Sequence, residues 1–147
     1  MKTLYTAKAT ATGGRQGHAS TSDGHLDVDI AVPPEMGGSE GDATNPEQLF
    51  AAGYAACFGS ALQVVAGHQE KDVSQSSVTA RVGIGMIGKG AFGLEVELHV
   101  AIPGMPQEEA QALVERAHEV CPYSNATRNN IPVELTVEAG QAAEATA

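Results

Sequence analysis

Apolar and polar residues alternate with a period of two over several short stretches of this chain, and between them runs one long segment without charge. Alternation puts successive side chains on opposite faces of a pleated strand. Leu26, Val28, Ile30 and Val32, interleaved with Asp27 and Asp29, therefore predict a strand with one buried and one wet face, closed by Pro33-Pro34. The pattern recurs over Ser77 to Ile87, with Val78, Ala80, Val82, Ile84 and Met86 on one side. It recurs again in Leu94, Val96, Leu98, Val100 and Ile102, with Glu95, Glu97 and His99 facing out and Gly88-Lys89-Gly90 as the connecting turn. Thr3 to Ala11 and Val133 to Glu138 read as the first and last strands. Between the first strand and the Asp23-Gly24 hairpin signal lies the turn-rich Gly13-Gly14-Arg15-Gln16-Gly17-His18, with a return through Ala19 to Ser22.

Helix signals separate these runs. Glu35 to Thr44 is rich in glycine and acidic residues and predicts a surface loop. Asn45-Pro46-Glu47-Gln48 then offers a capping side chain, a proline suited to the first helical position and an acid in the first turn, so a helix is expected to run to about Gly67. From Gln48 to Gln69 there is no Asp, Glu, Lys or Arg, a length that raises the question of a membrane span. Ala, Gly, Ser and Gln make up as much of the run as Leu and Val, which fits a helix covered by protein instead. A second helix starts at Pro106, carries Glu108 and Glu109 in its first turn, presents Ala112, Leu113 and Ala117, and ends near Val120. Strands, long helix, hairpin, helix and strand in that order predict an α+β fold with antiparallel sheet packed on helices. One domain is expected over residues 1–138, and a mobile tail over 139–147, where no large apolar residue could anchor the chain.

Composition narrows the function. At 147 residues and 42% hydrophobic, the chain can bury a core. Its net charge of −10, with four Arg and four Lys dispersed along it, lacks the clustered cations that nucleic-acid binding requires. Lys8 interrupts the N-terminal segment where an export signal needs an apolar stretch, so the expectation is a cytoplasmic protein, neither exported nor inserted in a membrane. In that reducing compartment a bond between the two cysteines would be transient and catalytic, unless both are inert buried thiols.

The cysteines occupy different surroundings. Cys57 sits inside the uncharged helical run, and Cys121 opens Cys121-Pro122-Tyr123-Ser124-Asn125-Ala126-Thr127-Arg128 just past the second helix. A thiol reacts as its anion, which is scarce at neutral pH unless a cation or hydrogen-bond donor favours it. Arg15, set between glycines, is the candidate cation, able to pair with a thiolate and a carboxylate together. A rigid helix suits Cys57 to attack first; Pro122 ends the helix before it, so fraying there is expected to bring Cys121 to an oxidised Cys57. The chemistry would be a sulfenic acid on Cys57 followed by condensation with Cys121. A zinc site using His118 and Cys121 lacks a second close ligand pair. A cysteine hydrolase could draw on His18, His25, His68, His99 or His118, but no local motif supports one.

Three segments carry a resemblance: Gly13-Gly14-Arg15-Gln16-Gly17-His18-Ala19, the stretch from Thr44 through Glu47 to Cys57-Phe58, and Cys121 to Arg128. Together, in this order, they resemble the organic hydroperoxide resistance proteins of the Ohr/OsmC superfamily. The resemblance implies an OsmC-like fold, in which antiparallel sheets wrap around two central helices of an intertwined homodimer. It further implies a cysteine-based peroxidase for organic and fatty-acid hydroperoxides. Cys57 would be peroxidatic and Cys121 resolving, with Arg15 and Glu47 at the family's arginine and glutamate positions. No metal, haem or other cofactor is implied, only an external dithiol reductant, typically dihydrolipoamide or the dihydrolipoyl group of a lipoylated protein. Glu47 and Cys57 lie ten residues apart on one helix, roughly 15 Å along its axis. If both serve one site, two copies of the helix are expected to cross antiparallel near Ala52, where the side chains are small.

Overall fold

The computed structural model describes residues 1–39 and 41–140, which fall into two compact units divided between Leu49 and Phe50. In the first unit, β1 (Ala9–Thr12), β2 (His18–Thr21) and β3 (Asp27–Asp29) form an antiparallel sheet in that order. The strand expected from Thr3 is shorter than its sequence suggests. Its ladder with β2 ends where the Ser22 N–H bonds the Lys8 carbonyl, and among the described residues of this unit no strand pairs with the residues before it, leaving Leu4 and Tyr5 exposed. β3 is curtailed too: Ile30 leaves the sheet to bridge Thr44 and is the buried residue of the run, while Leu26 is exposed. Between them the chain makes a short 3-10 turn over Pro34–Met36.

The long helix α1 (Pro46–His68) begins as the capping signals require, with the Asn45 Oδ1 accepting the Gln48 N–H at 2.8 Å. It is long and apolar enough to cross a membrane by composition, yet it is a core helix. Tyr54, Phe58, Ala61, Leu62, Val65 and Ala66 are buried in the cluster that also holds Val96, Leu98, Val100 and Ile102. The opposite face, Ala52, Ala56, Ser60 and Val64, stays exposed and carries no charge.

The second unit has β4 (Ser77–Gly88), β5 (Ala91–Pro103) and β6 (Val133–Gly140) in the order β4-β5-β6. β4 and β5 are the expected antiparallel hairpin, and Val96, Leu98, Val100 and Ile102 alternate inward as read from the pattern. Met86 departs from it and is exposed with Ile87 and Phe92 near the hairpin tip. β6 pairs with β5 in parallel, not antiparallel, because the helices α2 (Gln107–Val120) and α3 (Pro122–Thr127) carry the chain back between the two strands. α2 buries Ala110, Leu113, Val114 and Ala117, an i, i+3, i+4, i+7 face, whereas Ala112 points to solvent. Of the expected tail, Ala139 and Gly140 belong to β6, and 141–147 lie outside the described residues.

Candidate functional site

In the first unit the glycine-rich turn is a 3-10 helix over Gly14–Gln16, entered through Gly13 at φ 77° and Gly14 at φ 57°, backbone values that side-chain-bearing residues rarely adopt. The turn closes tightly. A Cβ on Gly17 would lie 1.8 Å from the Thr12 carbonyl oxygen. Arg15 projects from this turn and grips Glu47, at the head of α1, with both guanidinium nitrogens: Nη1 to Oε2 at 2.9 Å and Nη2 to Oε1 at 2.5 Å. These hydrogen bonds hold the Glu47 carboxyl below its ordinary range and raise Arg15 above its own, so the pair stays charged. Next to the turn, His18 places Nε2 2.6 Å from Asp27 and Nδ1 2.9 Å from Asp29, and the two carboxylates raise its pKa. The expected arginine–carboxylate partnership is thus present in the geometry.

In the second unit the two sulfurs meet. Cys121 Sγ lies 3.8 Å from Cys57 Sγ, both as free thiols, with Cys57 half-buried and Cys121 without exposed surface. Proximity does not arise by fraying, as the sequence suggested. Pro122 ends α2 but starts α3, where a missing N–H costs nothing, so Cys121 is pinned at the junction of two helices. Burial pushes the Cys57 thiol up, the Tyr123 backbone N–H pulls it down, and the Cys121 thiol adds to the rise. The balance is upward, opposite to what an ionised nucleophile needs.

Sequence reading missed the polar side chains behind the sulfurs. Tyr54, one helical turn before Cys57, places its hydroxyl 2.8 Å from Ser124 Oγ and 3.1 Å from Thr127 Oγ1, and His118 Nδ1 lies 2.8 Å from the same Ser124 oxygen. Phe50, Tyr54 and Tyr123 pack ring on ring, with centroids 5.5 to 6.1 Å apart. Gly53 leaves room for Tyr123, whose hydroxyl would come within 2.7 Å of a Cβ there. No local motif announces this cluster, because its members come from three helices.

Fold and sulfur pair together define an α+β protein with two adjacent thiols, one in mid-helix and one at a helix junction. The OsmC-like protein family matches residues 38–136. The organic hydroperoxide resistance protein of Xanthomonas axonopodis pv. citri is 58% identical over 137 residues, covering 92% of this chain and 96% of that one. OhrB of Bacillus subtilis is 48% identical over 137 residues, covering 92% and 98%. Among solved structures, an organic hydroperoxide resistance protein from Elizabethkingia anophelis, with thiocyanate bound, superposes with a TM-score of 0.90 at 57% identity, covering 95% of this chain and 99% of that one. The chain belongs to the OsmC-like family and, within it, to the organic hydroperoxide resistance proteins.

Proposed function

We propose that this protein is a thiol peroxidase that reduces organic hydroperoxides, fatty-acid hydroperoxides included, and so protects its cell from oxidative stress. The observation that carries the reading is the pair of free thiols 3.8 Å apart, one of them accessible and backed by a backbone N–H. The Cys57 thiolate attacks the distal peroxide oxygen; the O–O bond breaks, the alkoxide takes up a proton to leave as alcohol, and Cys57 becomes a sulfenic acid. Cys121 then condenses with it, forming the Cys57–Cys121 disulfide and releasing water. A dithiol, such as dihydrolipoamide or a lipoylated protein, returns both cysteines to thiols and leaves as its own disulfide. No metal or haem takes part, and the cycle belongs in a reducing compartment, the cytoplasm.

Activation of Cys57 falls to Arg15, oriented by Glu47, but delivered from a second copy of the chain. α1 runs unbroken past both Glu47 and Cys57, so its own rise keeps them apart. The uncharged outer face of Ala52, Ala56, Ser60 and Val64 supports a homodimer in which two such helices cross. The test is one equivalent of cumene hydroperoxide added to reduced protein, followed by mass spectrometry and by steady-state turnover with dihydrolipoamide. The expected result is loss of two hydrogens as a single intramolecular disulfide, with turnover, and its absence in Cys57→Ser. Two thiols unchanged after the oxidant is consumed or left over would overturn the reading.

A further inference from the structure

The helix α3 does more than carry Cys121. Its first turn also holds the Tyr123 backbone N–H that pulls the Cys57 thiol pKa down, so that influence and the Cys121 sulfur 3.8 Å away both depend on the position of one six-residue helix. A helix so short cannot hold its own position. Disulfide formation needs it held well, since the sulfurs must close from 3.8 Å to about 2.05 Å with a restricted dihedral.

Three side-chain hydrogen bonds join α3 to its neighbours and a fourth closes within it, and their hydrogens can be counted. The contacts are His118 Nδ1 to Ser124 Oγ at 2.8 Å, Ser124 Oγ to Tyr54 Oη at 2.8 Å, Tyr54 Oη to Thr127 Oγ1 at 3.1 Å, and Thr127 Oγ1 to the Ser124 carbonyl at 3.2 Å. If His118 accepts, Ser124 donates to it, Tyr54 to Ser124 and Thr127 to Tyr54, and no hydrogen remains for the carbonyl. If His118 Nδ1–H donates, each hydroxyl passes its one hydrogen forward, and the last reaches the carbonyl. Only the second direction serves all four contacts. We infer that His118, held as its Nδ1–H tautomer, starts a one-way hydrogen-bond chain through Ser124, Tyr54 and Thr127 that positions α3, and with it Cys121, for bonding to Cys57.

The chain joins three helices: Tyr54 on α1, His118 on α2, Ser124 and Thr127 on α3. Tyr54 and Ser124 are wholly buried and Thr127 nearly so, which leaves these hydroxyls dependent on one another. Burial and the nearby Arg128 lower the His118 pKa, which keeps the ring neutral at physiological pH. Arg128 also bonds the His118 carbonyl at 2.5 Å, a further tie between the end of α3 and α2.

The inference rests on the two-cysteine reading above, but its test needs no hydroperoxide. Full-length protein is equilibrated in glutathione redox buffers, and the Cys57–Cys121 disulfide is quantified by thiol alkylation and mass spectrometry. Tyr54→Phe, and independently the nearly isosteric Thr127→Val, should each lower the effective concentration of one thiol at the other by about tenfold, the equivalent of one net hydrogen bond. His118→Phe should do the same, whereas His118→Asn, whose amide N–H can donate from the position of Nδ1, should stay near the parent value. The 15N shifts of His118 should report the proton on Nδ1. Equal disulfide equilibria in the parent, Tyr54→Phe and Thr127→Val would overturn the inference, as would a proton on Nε2. A parent protein that forms the disulfide in these buffers yet reduces no hydroperoxide would sink the peroxidase reading alone.

Discussion

Subunit mixing tests the shared-site reading most directly. Along α1, Glu47 and Cys57 are separated by ten residues, about 15 Å at the rise of an α-helix. A cation held at Glu47 and acting on a thiolate that far away would contribute only about 1 kcal/mol at an effective dielectric constant near 20, before salt screening with a Debye length of about 8 Å. At about 4 Å the same cation would contribute roughly 4 kcal/mol, worth about three pKa units and opposite in sign to the upward push of burial on Cys57. In the proposed dimer, an antiparallel crossing near Ala52 would bring Glu47 of one copy level with Cys57 of the other.

Cys57→Ser lacks the nucleophile and Glu47→Ala lacks the carboxylate, so each alone should be nearly inactive. If they are mixed in equal amounts, unfolded and refolded together, about half of the dimers are mixed, and each of these holds one intact site of its two. Turnover with cumene hydroperoxide and dihydrolipoamide should recover to about a quarter of the unaltered protein's rate, by that count. If each site were built within one chain, no mixed dimer would hold an intact site. Activity no higher than the sum of the separate variants, with mixed dimers verified by native mass spectrometry, would refute the reasoning.

Arg15→Ala should raise the Cys57 pKa and slow peroxide reduction while the fold is kept, and an unchanged thiolate titration at 240 nm on the Cys121→Ser background would remove Arg15 from its role. Gly17→Ala should lower the melting temperature markedly, because its Cβ would meet backbone, the Thr12 carbonyl at 1.8 Å, which cannot rotate away; overpacking of this kind costs roughly 1–3 kcal/mol or more. A melting temperature unchanged to within about a degree would mean that the turn accommodates the methyl, contrary to the several-degree shift that such a cost implies. Glu47 has a depressed carboxyl pKa in the folded state, so its contribution is present above its unfolded value of 4.5 and is lost as pH falls through the lower folded value. With the Arg15 side chain one-third exposed the pair is worth about 1 kcal/mol, so Glu47→Gln should melt lower at neutral pH and converge with the parent in acid; a constant offset would contradict this.

What the sequence made legible was whatever local chemistry determines. Asn45-Pro46-Glu47-Gln48 marked the start of α1, because capping and proline rules act within one turn. The alternation from Leu94 to Ile102 marked β5 and its inward face. Partners outside the local segment escaped it. Thr3 to Lys8 has strand character, but a strand exists only where a neighbour takes up its hydrogen bonds. β6 shows the same pattern whether it pairs parallel or antiparallel, and only the intervening helices decide. Arg15 and Glu47 could be named from residue type, while their bidentate grip across 32 residues could not be read from spacing.

The same division explains the site. A thiol in mid-helix is inert by default: burial favours its neutral form, and Cys57 is pushed that way. Reactivity has to come from groups that local sequence does not place. The Tyr123 N–H arrives because Pro122 restarts a helix at Cys121, and α3 stays in place because hydroxyls from separate helices share their hydrogens. Proline thus acts here through the helix it begins, not the one it ends. That inversion turns an expected frayed end into a fixed junction, and a second thiol that was expected to travel into one already standing 3.8 Å from Cys57 Sγ. In the proposed cycle such a site would give up mobility in Cys121 and gain a high local concentration of the second thiol, which would favour rapid closure of the sulfenic acid over its further, irreversible oxidation.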